Sequence, residues 1–383
     1  MPDISNDYVT RVLAAPSEAD ACAWNALLAM AGGSPFMRHE YLAALHDSDS
    51  ATRDTGWSPQ FLTLWRDDEL QAACPLYVKS HSYGEYVFDW AWANAYEQHG
   101  LRYYPKALTA VPFTPVPGPR LLARDAKARA ALVQAVLAWC RKKKVSSWHL
   151  LFGDDDDVQA CGDAGLMLRH TVQFHWMNQG YADFDAFLAS LAQEKRKKIR
   201  QERRKVQEAG VAFRHAQGSA ITRPDWDFFY RCYERTYLEH GNPPYLTREF
   251  FRRMAHAMPN NWLLFLAERN GKPVACSLIG LEGKVAYGRY WGALERVDCL
   301  HFEACYYQPL AWCIANGYER FEGGAQGEHK MARALMPVKT TSAHWLAHPG
   351  FADAVEKFLA REGRGIGNYM EHLEARSPFR HDA

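Results

Sequence analysis

Apolar positions along this chain follow two rhythms, one near 3.6 residues and one near two, and the rhythm changes at glycine and proline. Helical spacing predicts helices over 19–31 and 38–46, separated by the break Gly32-Gly33-Ser34-Pro35. Apolar runs at 61–65 and 71–78 flank Arg66-Asp67-Asp68-Glu69-Leu70 and predict a β-hairpin, with a third strand over 86–92. Five prolines lie between 104 and 119; proline has a fixed φ and no N–H for a ladder, so this stretch is expected to be an ordered extended loop. A helix over 124–144, a strand over 147–152, a short helix opened by the acidic run 154–157 and a strand over 168–177 complete the first half. Carboxylates suit the positive end of a helix dipole.

The second half repeats this order. A long helix over 183–209 ends at Gly210, and a strand over 211–215 and helices over 224–240 and 247–257 follow. Strands are expected over 262–267, 273–279 and 284–291, the first two joined by Asn270-Gly271, a strong hairpin signal. A helix over 301–316, a strand over 318–322, a glycine-rich loop, a strand over 340–346 and a helix over 350–373 close the chain. Gly363-Arg-Gly-Ile-Gly367 falls inside that helix and follows no strand, so it lacks the setting of a dinucleotide fingerprint. Residues 64–74 match 266–276 with Ala73-Cys74 on Ala275-Cys276, and Trp92 and Trp291 end the next strand of each copy. The pattern predicts a duplicated α/β (mixed α+β) unit, one copy over 1–180 and the other over 181–383, each a mixed, mostly antiparallel sheet flanked by helices.

A length of 383 residues fits two cores. The formal charge of +1 excludes a global attraction to nucleic acid or to an anionic membrane, so any such binding must be local. No run approaches the roughly 20 apolar residues of a membrane helix, and residues 1–14 do not read as a signal peptide. Nine cysteines without a CxxC pair fit reduced thiols, and the expected location is the cytoplasm. There is no HExxH, no zinc-type Cys/His spacing and no P-loop, so no metal is expected. Oligomeric state is not encoded in any of these patterns.

Four strings carry a resemblance: Ser34-Pro-Phe-Met37, Ala73-Cys-Pro-Leu-Tyr-Val-Lys-Ser-His-Ser-Tyr-Gly-Glu-Tyr86, Pro112-Phe-Thr-Pro-Val-Pro-Gly-Pro-Arg120 and Phe321-Glu-Gly-Gly-Ala-Gln-Gly-Glu-His-Lys330. They resemble the FemAB-like family of predicted N-acyltransferases, tandem GNAT folds related to Fem-type peptidoglycan aminoacyltransferases. The resemblance implies transfer of an acyl or aminoacyl group to an amine, for instance on a peptidoglycan-type precursor. The implied donor is acyl-CoA or aminoacyl-tRNA, used as co-substrate with no tightly bound cofactor. GNAT enzymes bind pyrophosphate with an Arg/Gln-x-x-Gly-x-Gly/Ala turn that opens a helix. Arg289-Tyr-Trp-Gly292-Ala-Leu294 matches it at Arg289 and Gly292 and lacks the last small residue, whereas Asp89-Trp-Ala-Trp-Ala-Asn94 in the first copy has no glycine. The donor site is therefore expected in the second copy, with the first structural or acceptor-binding.

Acyl transfer to an amine needs a base for the ammonium proton and donors for the oxyanion. In the loop after strand 318–322, Glu322 or His329 is a candidate base, and Lys330 and Arg333 are candidates to hold the oxyanion or an acidic group. Gln326 converges on the same loop, while Tyr290, Trp291, Glu303 and Tyr306 are expected to wall a substrate pocket. Ser342 and His344 alternate on a strand and so share a face. No Ser or Cys sits in a recognisable nucleophile elbow, which favours direct transfer. Between Lys195 and Lys205, eight of eleven residues are basic and face away from an apolar stripe, a pattern suited to tRNA phosphates, the CoA 3′-phosphate, an anionic lipid-linked precursor or solvent alone. The alternative to catalysis is a binding module that grips an anionic cell-wall precursor or RNA without turnover.

Overall fold

The structure, a computed structural model, describes residues 8–325 and 327–380. Its elements run, in chain order, β1 (Val9–Leu13), α1 (Ala21–Met30), α2 (His39–Asp47), β2 (Trp57–Pro59), β3 (Phe61–Arg66), β4 (Glu69–Cys74), β5 (Leu76–Lys79), α3 (Trp90–Gln98), β6 (Lys106–Thr109), β7 (Leu122–Ala123), α4 (Ala126–Lys143), β8 (Ser147–Gly153) and α5 (Asp155–Asp163). They continue with β9 (Met167–Met177), α6 (Phe184–Ser190), α7 (Gln193–Glu208), β10 (Val211–Gln217), α8 (Arg223–Glu239), α9 (Arg248–Ala257), β11 (Trp262–Arg269), β12 (Lys272–Glu282) and β13 (Val285–Ala293). Last come α10 (Leu300–Phe302), a π-helical turn (Glu303–Tyr307), α11 (Gln308–Ala315), β14 (Arg320–Ala325), a 3₁₀ turn (Glu328–Arg333), β15 (Met336–Leu346) and α12 (Pro349–Glu374).

Two compact units result. One holds the residues up to Thr171 together with Lys339–Asn368; the other holds Val172–Val338 and the residues from Tyr369 on. The simple division at 180/181 is thus replaced by an earlier crossing inside β9 and a return through β15. In the first unit, β1-β3-β4-β7 form an antiparallel sheet, and a second set of strands runs in the order β15-β8-β6-β5-β2. Leu132, Val133, Val136 and Leu137 of α4 pack on Leu62, Leu64, Ala72 and Trp148, burial that drives folding at about 25 cal/mol per Å² of apolar surface. The strands of the second unit run in the order β10-β11-β12-β13-β14-β9, with β13 and β14 parallel and the other pairs antiparallel.

The two hairpins expected from the sequence share their fine geometry. Asp67-Asp68 and Asn270-Gly271 both form two-residue turns at positive φ, which suits the twist of the flanking strands. Each hairpin carries a bulge at the same place, between Leu64/Trp65 and between Ala267/Glu268. These marks set Ala72, not Ala73, against Ala275, so the sequence match is one residue out of register. Three other expectations change. Residues 86–92 form no strand; Trp92 lies in α3, so it is not the counterpart of Trp291 in β13. The proline-rich stretch contains β6, which pairs with both β5 and β8; this is possible because all five prolines fall outside its four residues. The helix expected over 183–209 breaks at Leu191-Ala192 into α6 and α7, where the backbone turns extended.

A buried charge cluster organises the first unit. The Lys106 ammonium donates to Glu85 at 2.7 Å, to Ser82 at 2.7 Å and to Asp89. Tyr103 donates to Asp89 at 2.6 Å and lies 3.0 Å from His149, whose Nδ1 meets Nδ1 of His344 at 2.8 Å. Burial, followed by the nearby Lys106, lowers the His149 pKa to about 3, so the imidazole is neutral in the fold. Burial alone would raise the Asp89 carboxyl, but Lys106 and its hydrogen bond outweigh it and hold Asp89 below the usual range. Replacing Lys106 by Met takes the cation from buried Asp89 and leaves Glu85 only the more distant Lys79, at 3.9 Å. Lys106→Met is expected to lower unfolding stability by about 3–5 kcal/mol, read as a reduced urea midpoint.

Candidate active site

The candidate site of the second unit begins with an irregularity in β13. Leu278 of β12 pairs with Tyr290 while Ile279 pairs with Gly288, so Arg289 is the extra residue of a bulge. A bulge re-aims a side chain, and Arg289 lines a cavity of about 150 Å³ with Tyr290 and Trp291. The second wall is the π-helical turn Glu303–Tyr307. Pro309 has no N–H for the carbonyl four residues earlier, and the wider turn lies immediately ahead of it. The turn is pinned by Ser277, whose hydroxyl donates to the Ala304 carbonyl at 2.6 Å. It brings Cys305 and Tyr306 to the cavity, and α10 adds His301.

The third wall is β14 and the turn after it. Gly323 lies so close to its neighbours that an added Cβ would stand 2.3 Å from Leu335 and 3.0 Å from the Phe174 carbonyl. Lys330 folds back over the strand, where its ammonium donates to the Gly323 carbonyl at 2.8 Å and to that of Gly324 at 3.4 Å. Lys330 is only 7% exposed. Burial drives its pKa down to about 8, with Cys305 opposing weakly. His301 is lowered to about 4 by burial and then by the neighbouring His329, Arg333 and Lys330, so it is a neutral imidazole at physiological pH. Its ring meets Trp291 at 5.4 Å and Tyr306 at 5.7 Å, both edge to face.

Arg333 fixes the turn that carries Lys330. Its guanidinium donates to the His329 carbonyl at 2.7 Å and to Glu202 of α7 at 2.8 Å, and it stacks 3.7 Å over the Phe302 ring. The Tyr307 hydroxyl also donates to Glu202. Arg333 is therefore a structural anchor at 3% exposure.

The residues expected at the site divide into two groups. Arg289, Tyr290, Trp291, Tyr306 and Lys330 converge on the cavity. Glu322 does not line it: alternation along β14 sends Phe321 and Gly323 to the cavity, while Glu322 pairs with Arg320 at 3.0 Å and lies 3.9 Å from His175. His329 is exposed, with its ring near Phe302 and Tyr306. Glu303 is buried beneath α7, held by Arg203 at 3.2 Å and Gln308 at 2.7 Å, and burial raises its pKa against those partners. Ser342 and His344 belong to the first unit, where Ser342 accepts the Phe152 N–H at 3.1 Å. Gln326 lies outside the described residues.

The phosphate-turn reading of Arg289 to Gly292 is corrected. These residues sit inside β13, with Tyr290, Trp291 and Gly292 paired to Leu278, Ser277 and Cys276 and Arg289 at the bulge, and the segment before α10 presents Glu295 and Asp298 rather than a glycine turn. Gly292 serves packing, since an added Cβ would lie 2.4 Å from the Cys232 carbonyl of α8. His301, Cys305 and Ser277 were not among the expected site residues; the mixed His and Cys content of 299–305 was the available signal. Among the described residues, no cluster of His, Cys, Asp and Glu could hold a metal, and no helix is long and apolar enough to cross a membrane. Gly292→Ala is expected to cost about 1–3 kcal/mol of stability, because backbone cannot yield as a side chain would; thermal and urea unfolding read the loss.

Three solved structures share the fold over nearly the whole chain. FemX matches at 11% identity and TM-score 0.55, covering 88% of this chain and 98% of its own. The C-terminal domain of a putative lysylphosphatidylglycerol synthetase from Agrobacterium fabrum matches at 11% identity and TM-score 0.55, covering 89% and 96%. L-PGS from Bacillus licheniformis matches at 11% identity and TM-score 0.54, covering 89% and 97%. No curated protein sequence matches. The model of the FemAB-like family, described as peptidoglycan biosynthesis/recognition, matches residues 15–381, and the chain belongs to that family.

Proposed function

We propose that the second unit transfers an acyl or aminoacyl group to an amine, with Lys330 stabilising the oxyanion and His301 receiving the amine's proton. The observation that carries this reading is the meeting of a buried ammonium and a neutral imidazole on one small cavity walled by Trp291 and Tyr306. Attack of the amine on the donor carbonyl forms the C–N bond and places negative charge on the carbonyl oxygen. Expulsion of the donor's leaving group then restores the carbonyl, and the proton taken by His301 is available to that leaving group. A cation already desolvated by the fold needs no reorganisation to meet the oxyanion, which makes it effective in a low-dielectric site.

The family's tie to peptidoglycan supports a cell-wall precursor as amine acceptor. For the donor, the strand geometry at Arg289 to Gly292 offers no pyrophosphate cradle, whereas Arg196, Lys197, Arg200 and Arg204 of α7 line one surface groove. That favours a polyanionic carrier such as aminoacyl-tRNA over acyl-CoA. All nine cysteines are free thiols, which supports a reducing cytoplasm as the place of reaction.

Lys330→Ala is expected to lower kcat by about 10²–10³ with little change in KM, measured by transfer of radiolabelled aminoacyl groups to a precursor amine. The pH profile supplies the sign. With a pKa of about 8, Lys330 is cationic below that pH and neutral above it, so transfer falls as pH rises through about 8. Lys330→Arg removes this alkaline limb, since a guanidinium stays charged. A limb unchanged in the Arg variant excludes Lys330 as its source.

A further inference from the structure

A second cavity, in the first unit, combines cations and apolar surface in a way that neither the fold nor the transfer reading uses. It measures about 530 Å³, and its lining includes Tyr96, Leu101, Arg102, Arg141, Lys144 and Trp345. We infer that it binds an amphiphilic anion, a single molecule with a phosphate or carboxylate head and an apolar chain.

Three features point to that chemistry. The cations come from separate segments: Arg141 and Lys144 from the end of α4, Arg102 from the stretch before β6. Complementing the α4 dipole accounts for cations in its last turn, but not for Arg102 meeting them at the same cavity. No carboxylate is among the lining residues, and among the described residues no ion pair engages Arg102, Arg141 or Lys144. The floor is apolar, with Cys140 and Val145 buried and Leu101 left 39% exposed at the rim.

The geometry fixes the positions of these groups. Lys144 adopts the left-handed conformation at φ 55°, where its N–H reaches the carbonyls of Cys140 and Arg141 and ends the helix. Arg141 is exposed and lies 5.8 Å from the Trp345 ring centroid, so its guanidinium stands over an aromatic face at the cavity rim. An anionic head seated between Arg102, Arg141 and Lys144 would gain charge-assisted hydrogen bonds. An apolar chain from that head would cover Leu101 and the Trp345 face. A nucleic-acid phosphate backbone would satisfy the cations and leave this apolar surface wet, and an uncharged lipid would leave the cations unmatched. The volume falls in the usual range for small-molecule sites, about 300–1,000 Å³.

Calorimetric titration of the full chain with dodecyl phosphate below its micelle concentration tests the inference independently of any transferase activity. Expected is 1:1 binding, tighter by about tenfold or more than inorganic phosphate or dodecyl maltoside, equivalent to about 1.4 kcal/mol. The Arg102→Gln/Arg141→Gln/Lys144→Gln variant should lose about tenfold in affinity with an unchanged circular dichroism spectrum, and Leu101→Ser should weaken dodecyl phosphate but not inorganic phosphate. If the triple variant does not fold, the exposed Arg102→Gln alone carries the comparison. Equal affinity of wild type and variant overturns the site, as does inorganic phosphate binding as tightly as dodecyl phosphate. Co-sedimentation with phosphatidylglycerol vesicles, without binding of monomeric dodecyl phosphate, overturns it too, because the ligand would then be bilayer charge and not one amphiphile.

Discussion

The contact between Glu202 and Arg333 fixes the site of the second unit. Both side chains are almost entirely out of water, at 9% and 3% exposure, and their charges meet at 2.8 Å. A buried pair of this kind is hard to improve by halves, since removing either partner strands the other in a medium that cannot solvate it. The pair is completed by the Tyr307 hydroxyl, the His329 carbonyl and the Phe302 ring. Through these contacts, one guanidinium joins α7, the π-helical turn and the 3₁₀ turn that carries Lys330. The position of the lysine follows from this joint together with its hydrogen bonds to the Gly323 and Gly324 carbonyls.

The same helix then does two things on two faces. Ile199, Glu202 and Val206 point inward, while Lys197, Lys198, Arg200, Arg204 and Lys205 are exposed. A run of eight basic residues in eleven is therefore no obstacle to a buried carboxylate three positions from Ile199. The first unit shows the contrast. Its buried charges, Lys106 with Glu85 and Asp89, pair with one another and join Tyr103, His149 and His344 in one network. The chemistry-bearing residues of the second unit instead line a cavity.

Much of the fold was legible because helical spacing and turn chemistry are local. The hairpin signal Asn270-Gly271, the acidic run that opens α5 and Gly210 after α7 all mark what they were read to mark. What failed depends on distant partners. Residues 86–92 look like a strand because they are aromatic and apolar, yet Asp89 is drawn inward to Lys106, and the chain enters α3. The π-helical turn is invisible to a 3.6-residue pattern. Lys330, expected to hold the oxyanion, Tyr306 and Trp291, expected as pocket walls, and Arg289, expected at the donor phosphates, all line one cavity. Glu322 was misplaced by a period-two effect, since extending β14 through the glycines turns it to the opposite face from Gly323. The likeness of Arg289 to Gly292 to a phosphate turn lay in letters alone, because the hydrogen bonds to β12 make that segment a strand.

The Glu202–Arg333 pair anchors the turn that holds the desolvated Lys330 ammonium at the cavity. Titration of the lysine ε-carbon resonances by NMR, with Lys330 assigned by its Arg variant, measures this without any substrate. Lys330 is expected to titrate near pH 8 in the wild type and to move back toward the ordinary lysine value of about 10.4 in Arg333→Ala. A Lys330 that titrates near 10.4 in the wild type, or one whose lowered pKa is untouched by loss of Arg333, would contradict it.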